Sequence, residues 1–91
     1  MQTMLMQNRN LIIRELDGDV FILDERDKRI HHLNITASAI WRFLETPARA
    51  NDVIAIFRHL YPDADQRQLK KSIRQSLAWM RRKDILHSRR Q

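Results

Sequence analysis

The chain has 91 residues, 43% of them hydrophobic, no cysteine and a formal net charge of +6, which suits one small domain with a modest core and is too short for two. The lack of cysteine excludes a disulfide scaffold and a thiolate zinc site, and it fits a reducing cytoplasm. No run approaches the roughly 20 apolar residues of a membrane helix, and the first ten residues hold no signal-peptide core, so a soluble protein with no membrane partner is expected.

The charge is unevenly spread. From Gln66 onward there are nine Lys or Arg against one acidic residue, Asp84, whereas residues 1–65 carry eight basic and ten acidic groups. A basic last third points to an anionic partner, either a nucleic acid or an acidic peptide, with a solvated helix face as the plain alternative.

In chain order, Leu11–Leu16 and Val20–Leu23 are β-rich runs on either side of Asp17-Gly18. That pair predicts a tight hairpin, because both turn positions need positive φ. The polar connection "DERD" leads into a third strand, Lys28–Leu33. Coming last in the meander, this strand is an edge, with unpaired N–H and C=O groups open to an extended partner.

Asn34 is a strong helix cap, and Ala37, Ile40, Trp41 and Leu44 follow with helical spacing, predicting a helix over 35–45. Pro47 ends that run. A second helix is expected after it, capped by Asn51 and burying Val53, Ile54, Phe57, Leu60 and Tyr61, and Pro62 terminates it. Asp65 with Gln68 three residues on opens a third helix over 66–83, whose core stripe is Leu69, Ile73, Leu77 and Met80. Beside that stripe Ser72, Ser76 and Trp79 form a shallow apolar trough. Arg67, Lys70, Lys71, Arg74, Arg81 and Arg82 form a basic ridge on the outer side.

Catalytic chemistry is poorly represented. His31 and His32 are adjacent in a strand, so their side chains point to opposite faces and cannot share a metal ion. There is one glycine and no phosphate-cradling loop, and no Ser, His and carboxylate grouping stands out, so neither an enzyme nor a cofactor is expected. A basic helix after a small sheet also has the outline of a winged helix-turn-helix, which makes a small nucleic-acid-binding regulator the alternative function. Against it, the helix begins "PDADQ", and Asp63 and Asp65 would repel phosphate where such a helix meets DNA.

Taken in order, the "DG" hairpin, the strand ending Leu33-Asn34, "TASAIW", a break carrying Arg49, "VIAIFRHLYP" and a last helix closing on "DIL" resemble the PqqD family. The resemblance spans about residues 9–87 and is sharpest in "LNITASAIW". It implies a single α+β domain over 1–91, ordered between about 9 and 87 with flexible ends. In that domain a three-stranded antiparallel sheet is followed by a three-helix bundle, winged helix-turn-helix-like in outline. It further implies a non-catalytic chaperone in the biosynthesis of pyrroloquinoline quinone or another ribosomally made, post-translationally modified peptide. Such a protein binds the leader of a precursor peptide as an extra strand and presents it to a modifying enzyme, often a radical S-adenosylmethionine protein.

Carried onto this chain, the strand is Lys28, Arg29, Ile30, His31, His32 and Leu33, and the facing helix flank is Ser72, Ser76 and Trp79. If Leu33 points to the core, His31 and Arg29 share its face and lie nearer the groove, while His32 and Ile30 point away. The ridge of Arg67, Lys70, Lys71, Arg74 and Arg81 would attract acidic leader residues. The exposed edge also leaves room for a homodimer by strand exchange. Where the family often has an Asp-Gly pair and a Thr cap before the second helix, this chain has "ETPARAN", and Asp84 stands where a glycine closes the last helix. The third strand has Ile30 and His31 where many relatives place aromatic residues, so a different leader sequence is expected.

Overall fold

Asp17 and Gly18 take φ values of 53° and 86°, the left-handed pair that a two-residue hairpin requires. In this computed structural model, which describes residues 3–90, the turn joins β2 (Ile12–Leu16) to β3 (Asp19–Asp24). β4 (Arg29–Leu33) pairs antiparallel on the other side of β3, giving the order β2-β3-β4. β4 is therefore an edge, as the order of the runs predicts. Lys28, expected inside it, has φ 58° and belongs to the turn. A left-handed residue breaks the pleat, so the strand starts one position later.

Val20 and Ile22 of β3 and Leu33 of β4 are wholly buried against α1 (Ile35–Phe43), α2 (Ala50–Leu60) and α3 (Gln66–Arg82), which supply Ile40, Val53, Phe57, Ile73, Leu77 and Met80 to the same core. Asn34 caps α1, its side-chain oxygen accepting from the Ala37 N–H at 2.8 Å. Asp65 caps α3 by accepting from the Arg67 and Gln68 N–H groups. Gln68 does not complete a capping box; its side chain donates to the Ser72 hydroxyl one turn on.

Two helix details differ from expectation. α2 begins before Asn51, with Arg49 at the cap position, because the Asp52 carboxylate accepts from the Arg49 N–H at 3.0 Å and fixes the first turn earlier. Leu60 and Tyr61, expected in the core, are 58% and 50% exposed. The end of α2 runs beyond the core that Val53, Ile54 and Phe57 occupy, and Tyr61 keeps only an edge contact with Phe57, ring centroids 6.2 Å apart.

The largest departure is at the ends. Residues 3–7 and 88–90, expected to be flexible, belong to a second sheet in which β1 (Thr3–Gln7) pairs antiparallel with β5 (Leu86–Arg90). Leu5 is 3% exposed and exchanges two backbone hydrogen bonds with Ala48, in the break between α1 and α2. The buried Asn8 locks the junction: its backbone N–H and side-chain amide donate to the carbonyls of Ile85 and Asp84, and its side-chain oxygen accepts from the Asn10 N–H. Gln7 adds a 2.7 Å bond to the Trp41 carbonyl. One face of the short "TMLMQ" run is thus held by long-range partners. Among the described residues, no helix is long and apolar enough to cross a membrane.

Asp84 explains how α3 ends without glycine. It sits at φ 59°, its N–H donates to the Arg81 carbonyl, and the Ile85 N–H donates back to the Met80 carbonyl at 2.8 Å. These are the two bonds of a Schellman closure, with aspartate tolerated in the left-handed position. The wholly buried Ile85 and Leu86 then carry the chain into β5.

If β1 is part of the core, Leu5→Ala should cost about 2–4 kcal/mol, the usual cost of truncating a buried leucine, measured as a lower urea midpoint. An unchanged midpoint would mean the first strand is a dispensable tail.

Candidate peptide-docking site

The hairpin geometry fixes which backbone groups of β4 are free. The residues flanking a two-residue turn, Leu16 and Asp19, form a hydrogen-bonded pair, and the pattern alternates along the ladder. Phe21 and Leu23 therefore direct their backbone groups toward β2, and Val20, Ile22 and Asp24 toward β4. With Ile22 opposite His31 and Phe21 opposite His32, it follows that Arg29, His31 and Leu33 bond to β3. Ile30 and His32 turn their N–H and C=O outward. The Phe21 and His32 rings stack at 4.6 Å with 13° between planes, as expected of a pair without mutual backbone bonds, where side chains lie closer.

Along this open edge runs a groove of about 470 Å³. Its strand side is His32 and Asn34, one end is Thr36 and Ala37 at the start of α1, and its far wall is Ser72, Gln75, Ser76 and Trp79 of α3. The trough residues expected from the helix periodicity all line it. Small side chains at 72 and 76 leave the space open. Trp79 limits it, because His31 meets the indole edge-on, with ring centroids 5.9 Å apart and planes at 88°.

The two histidines divide as strand alternation requires, His31 inward onto Trp79 and His32 outward onto Phe21. Their relation to the groove is more detailed than expected. His32 borders the main groove from the strand edge, while His31 and Arg29 line a second hollow of about 410 Å³ beyond Trp79, shared with Asp24, Arg26, Asp27, Arg82, Lys83 and Asp84. The inward face of β4 slopes past Trp79 toward the end of α3, which pairing register alone does not reveal. Leu33 belongs to the core, and Ile30 is 69% exposed on the outer face.

The basic ridge lies mostly elsewhere. At 100° per residue, Arg67, Lys70, Arg74 and Arg81 are roughly half a turn from the trough. Arg74 and Arg81 line a shallow cleft against Thr3, Leu5 and Ala50, and Arg81 donates to the Ser88 hydroxyl. Lys71 is exposed on the outer side of α3. Arg82, also of the ridge, lines the hollow beside β4 together with Arg26, Arg29 and Lys83.

Asp24 anchors this end of the site. Its carboxylate, almost fully buried, accepts from the Arg26 backbone N–H and, in a fork, from the Arg26 guanidinium at 3.0 and 3.2 Å. The same guanidinium lies 3.6 Å from Asp84, so the turn before β4 is tied to the end of α3. The Arg26 side-chain bonds hold the Asp24 carboxyl below its usual range, against the opposing effect of burial.

The residue pattern of the family described as coenzyme PQQ synthesis protein D (PqqD) matches residues 19–86, three-quarters of the chain and all of the sheet-edge and groove elements. The chain belongs to the PqqD family. Its fold is also that of a solved structure of TbiB1 in complex with the TbiA(beta) leader peptide, at 20% identity and a TM-score of 0.76, covering 90% of this chain and 94% of that one. No curated protein matches it in sequence. The three-stranded sheet with three helices expected from the sequence is thus the fold shared with that neighbour.

Because the Asp24 pKa is lowered in the folded state, its contribution to stability is present above the usual carboxylate value of about 3.9 and is lost as pH falls through the lower folded value. Asp24→Asn should therefore be less stable than the parent at pH 7. The gap should narrow as pH falls from about 4 toward 2, read from urea midpoints across that range.

Proposed function

We propose that the chain is a non-catalytic accessory protein that captures the leader segment of a ribosomally made precursor peptide and presents it to a modifying enzyme. The observation that carries this reading is the unpaired edge of β4, with the Ile30 and His32 backbone groups turned outward beside a groove walled by Ser72, Ser76 and Trp79. An extended peptide added there gains main-chain hydrogen bonds with little demand on its sequence, while an alternate side chain enters the groove and supplies selectivity. Membership of the PqqD family and the fold shared with a protein solved in complex with a leader peptide support leader-peptide capture.

Arg29, Arg82 and Lys83 border the path of such a peptide, and the remaining basic side chains of α3 add a longer-range field. Acidic leader residues are drawn in faster by that field, with less effect on the final affinity. The enzyme that receives the peptide belongs, on the family resemblance, to the radical S-adenosylmethionine class, and the complex forms in the cytoplasm. The product is pyrroloquinoline quinone or another modified peptide. An edge occupied by a leader is closed to a second copy of the chain, so peptide binding and strand-exchanged dimerisation compete.

The backbone assignment makes a sharp test. Proline is tolerated on an edge strand where the N–H faces away from the sheet, so His32→Pro should keep the fold and lose a hydrogen bond to the peptide. Titrating the protein with synthetic leader segments of short peptides encoded beside its gene should show at least about tenfold weaker binding for this variant. Parental amide shifts should concentrate in Arg29–Leu33 and the Ser72–Trp79 flank. His31→Pro, which removes a bond to β3, should instead destabilise the sheet. Shifts confined to Arg67, Lys70, Arg74 and Arg81, or equal binding by His32→Pro, would rule out strand addition at this edge.

A further inference from the structure

The outer face of the three-stranded sheet has an unusual pattern for a surface. Cross-strand register aligns Ile12, Leu23 and Ile30 in one row, and Arg14, Phe21 and His32 in the next. Both rows run across all three strands and stop at the free edge of β4. Proteins that guard an edge place charges or proline on it. Here the two outward side chains of the edge strand are Ile30, 69% exposed, and His32, whose ring is laid flat on Phe21 and whose Nε2 lies 3.6 Å from Asp19 Oδ2. The rows end as an apolar step and an oriented aromatic plate, with no strand beyond them among the described residues.

Resting on the strand-addition reading, we propose that the docked peptide is read on both of its faces. The backbone groups free to bond the peptide are those of Ile30 and His32, the same residues whose side chains lie on the outer face. Peptide residues opposite these two must then project on that outer face as well, since directly paired residues share a face. Their β-carbons lie about 4.5–5.5 Å from those of Ile30 and His32, so they extend the two existing rows by one position each. The peptide residue between them, opposite His31, projects inward toward α3, at the Trp79 end of the groove.

The chemistry of each row defines its preferred addition. Beside Ile30 the row is aliphatic, and a valine, isoleucine or phenylalanine there covers surface that is otherwise wet. Beside His32 the row is a stack of flat rings, and a tyrosine or phenylalanine continues it. The bound segment is therefore a β-prone tripeptide with apolar or aromatic residues on both sides, distinct from an amphipathic strand that offers only a groove-facing anchor. Each outward position is expected to change affinity about two- to fivefold. That is small beside the main-chain bonds and sufficient to rank leaders that share one groove residue.

A display library of randomised nine-residue peptides, selected in parallel on the parent, on Ile30→Lys and on a groove-filled Ser76→Trp variant, tests this. Ile30 is exposed, so the lysine variant should melt at the parental temperature. The parent should enrich one groove position and two flanking positions, one carrying Val, Ile or Phe and the other Tyr or Phe. Ile30→Lys should shift the first flanking position to Asp or Glu while the groove preference is unchanged. Synthetic peptides with a flanking residue changed to serine should bind about two- to fivefold more weakly. Random flanking positions around an enriched groove position, with the same peptides chosen by Ile30→Lys, would overturn two-faced reading and leave strand addition standing. Equal enrichment by the Ser76→Trp variant, with no alternation, would overturn both.

Discussion

The edge contact between the His31 ring and Trp79 sets how closely the free strand and the last helix approach, and the groove between them depends on that spacing. His31 is held from one side by backbone bonding to β3, and Trp79 is held by the helix whose Ile73, Leu77 and Met80 are sunk in the core. Two rings meeting edge-on act as a rigid spacer. One and two turns of α3 further toward its start, Ser76 and Ser72 are too small to reach across, and the gap stays open. The groove is therefore a packing mismatch kept open by an aromatic contact at one end and by the start of α1 at the other.

Holding α3 in place falls largely to parts of the chain far from the groove. Its C-terminal end is closed by the Asp84 turn, gripped by Asn8 through two hydrogen bonds, and followed by Ile85 and Leu86 in the core. β1 then fills the space between β5 and the loop at Ala48, so both ends of the chain brace the same helix terminus. From the sheet side, Arg26 bridges Asp24 and Asp84. A helix fixed in this way keeps its trough at a constant distance from β4 while the edge itself stays uncovered, which is the pre-organisation that strand capture benefits from.

Charge and shape have separate places on α3. The side toward β4 is neutral, and the far side carries Arg67, Lys70, Arg74 and Arg81, with Arg82 and Lys83 turning toward the strand only at the end of the helix. In general, cations held away from a binding groove attract an acidic partner at long range without having to be desolvated on contact. Those near Arg29 are partly balanced by Asp24, Asp27 and Asp84, so the contact zone is mixed in sign. A mixed zone favours particular pairings over general attraction.

The sequence by itself determined the hairpin, the edge position of the third strand, the caps at Asn34 and Asp65, and the trough of Ser72, Ser76 and Trp79. Each of these follows from local rules, namely a two-residue turn, alternation, a capping side chain and the 3.6-residue period, and "LNITASAIW" was enough to suggest the family. Tertiary structure decided what depends on partners distant in the chain. "TMLMQ" is a strand only because Ala48 and β5 pair with it, and Leu60 with Tyr61 is exposed only because α2 outruns the core. It also decided that His31 and Arg29 open into a second hollow beyond Trp79, because the slope of a strand against a helix is set by packing across the whole sheet. Alternation tells which way a side chain points; only the assembled core tells what stands opposite it.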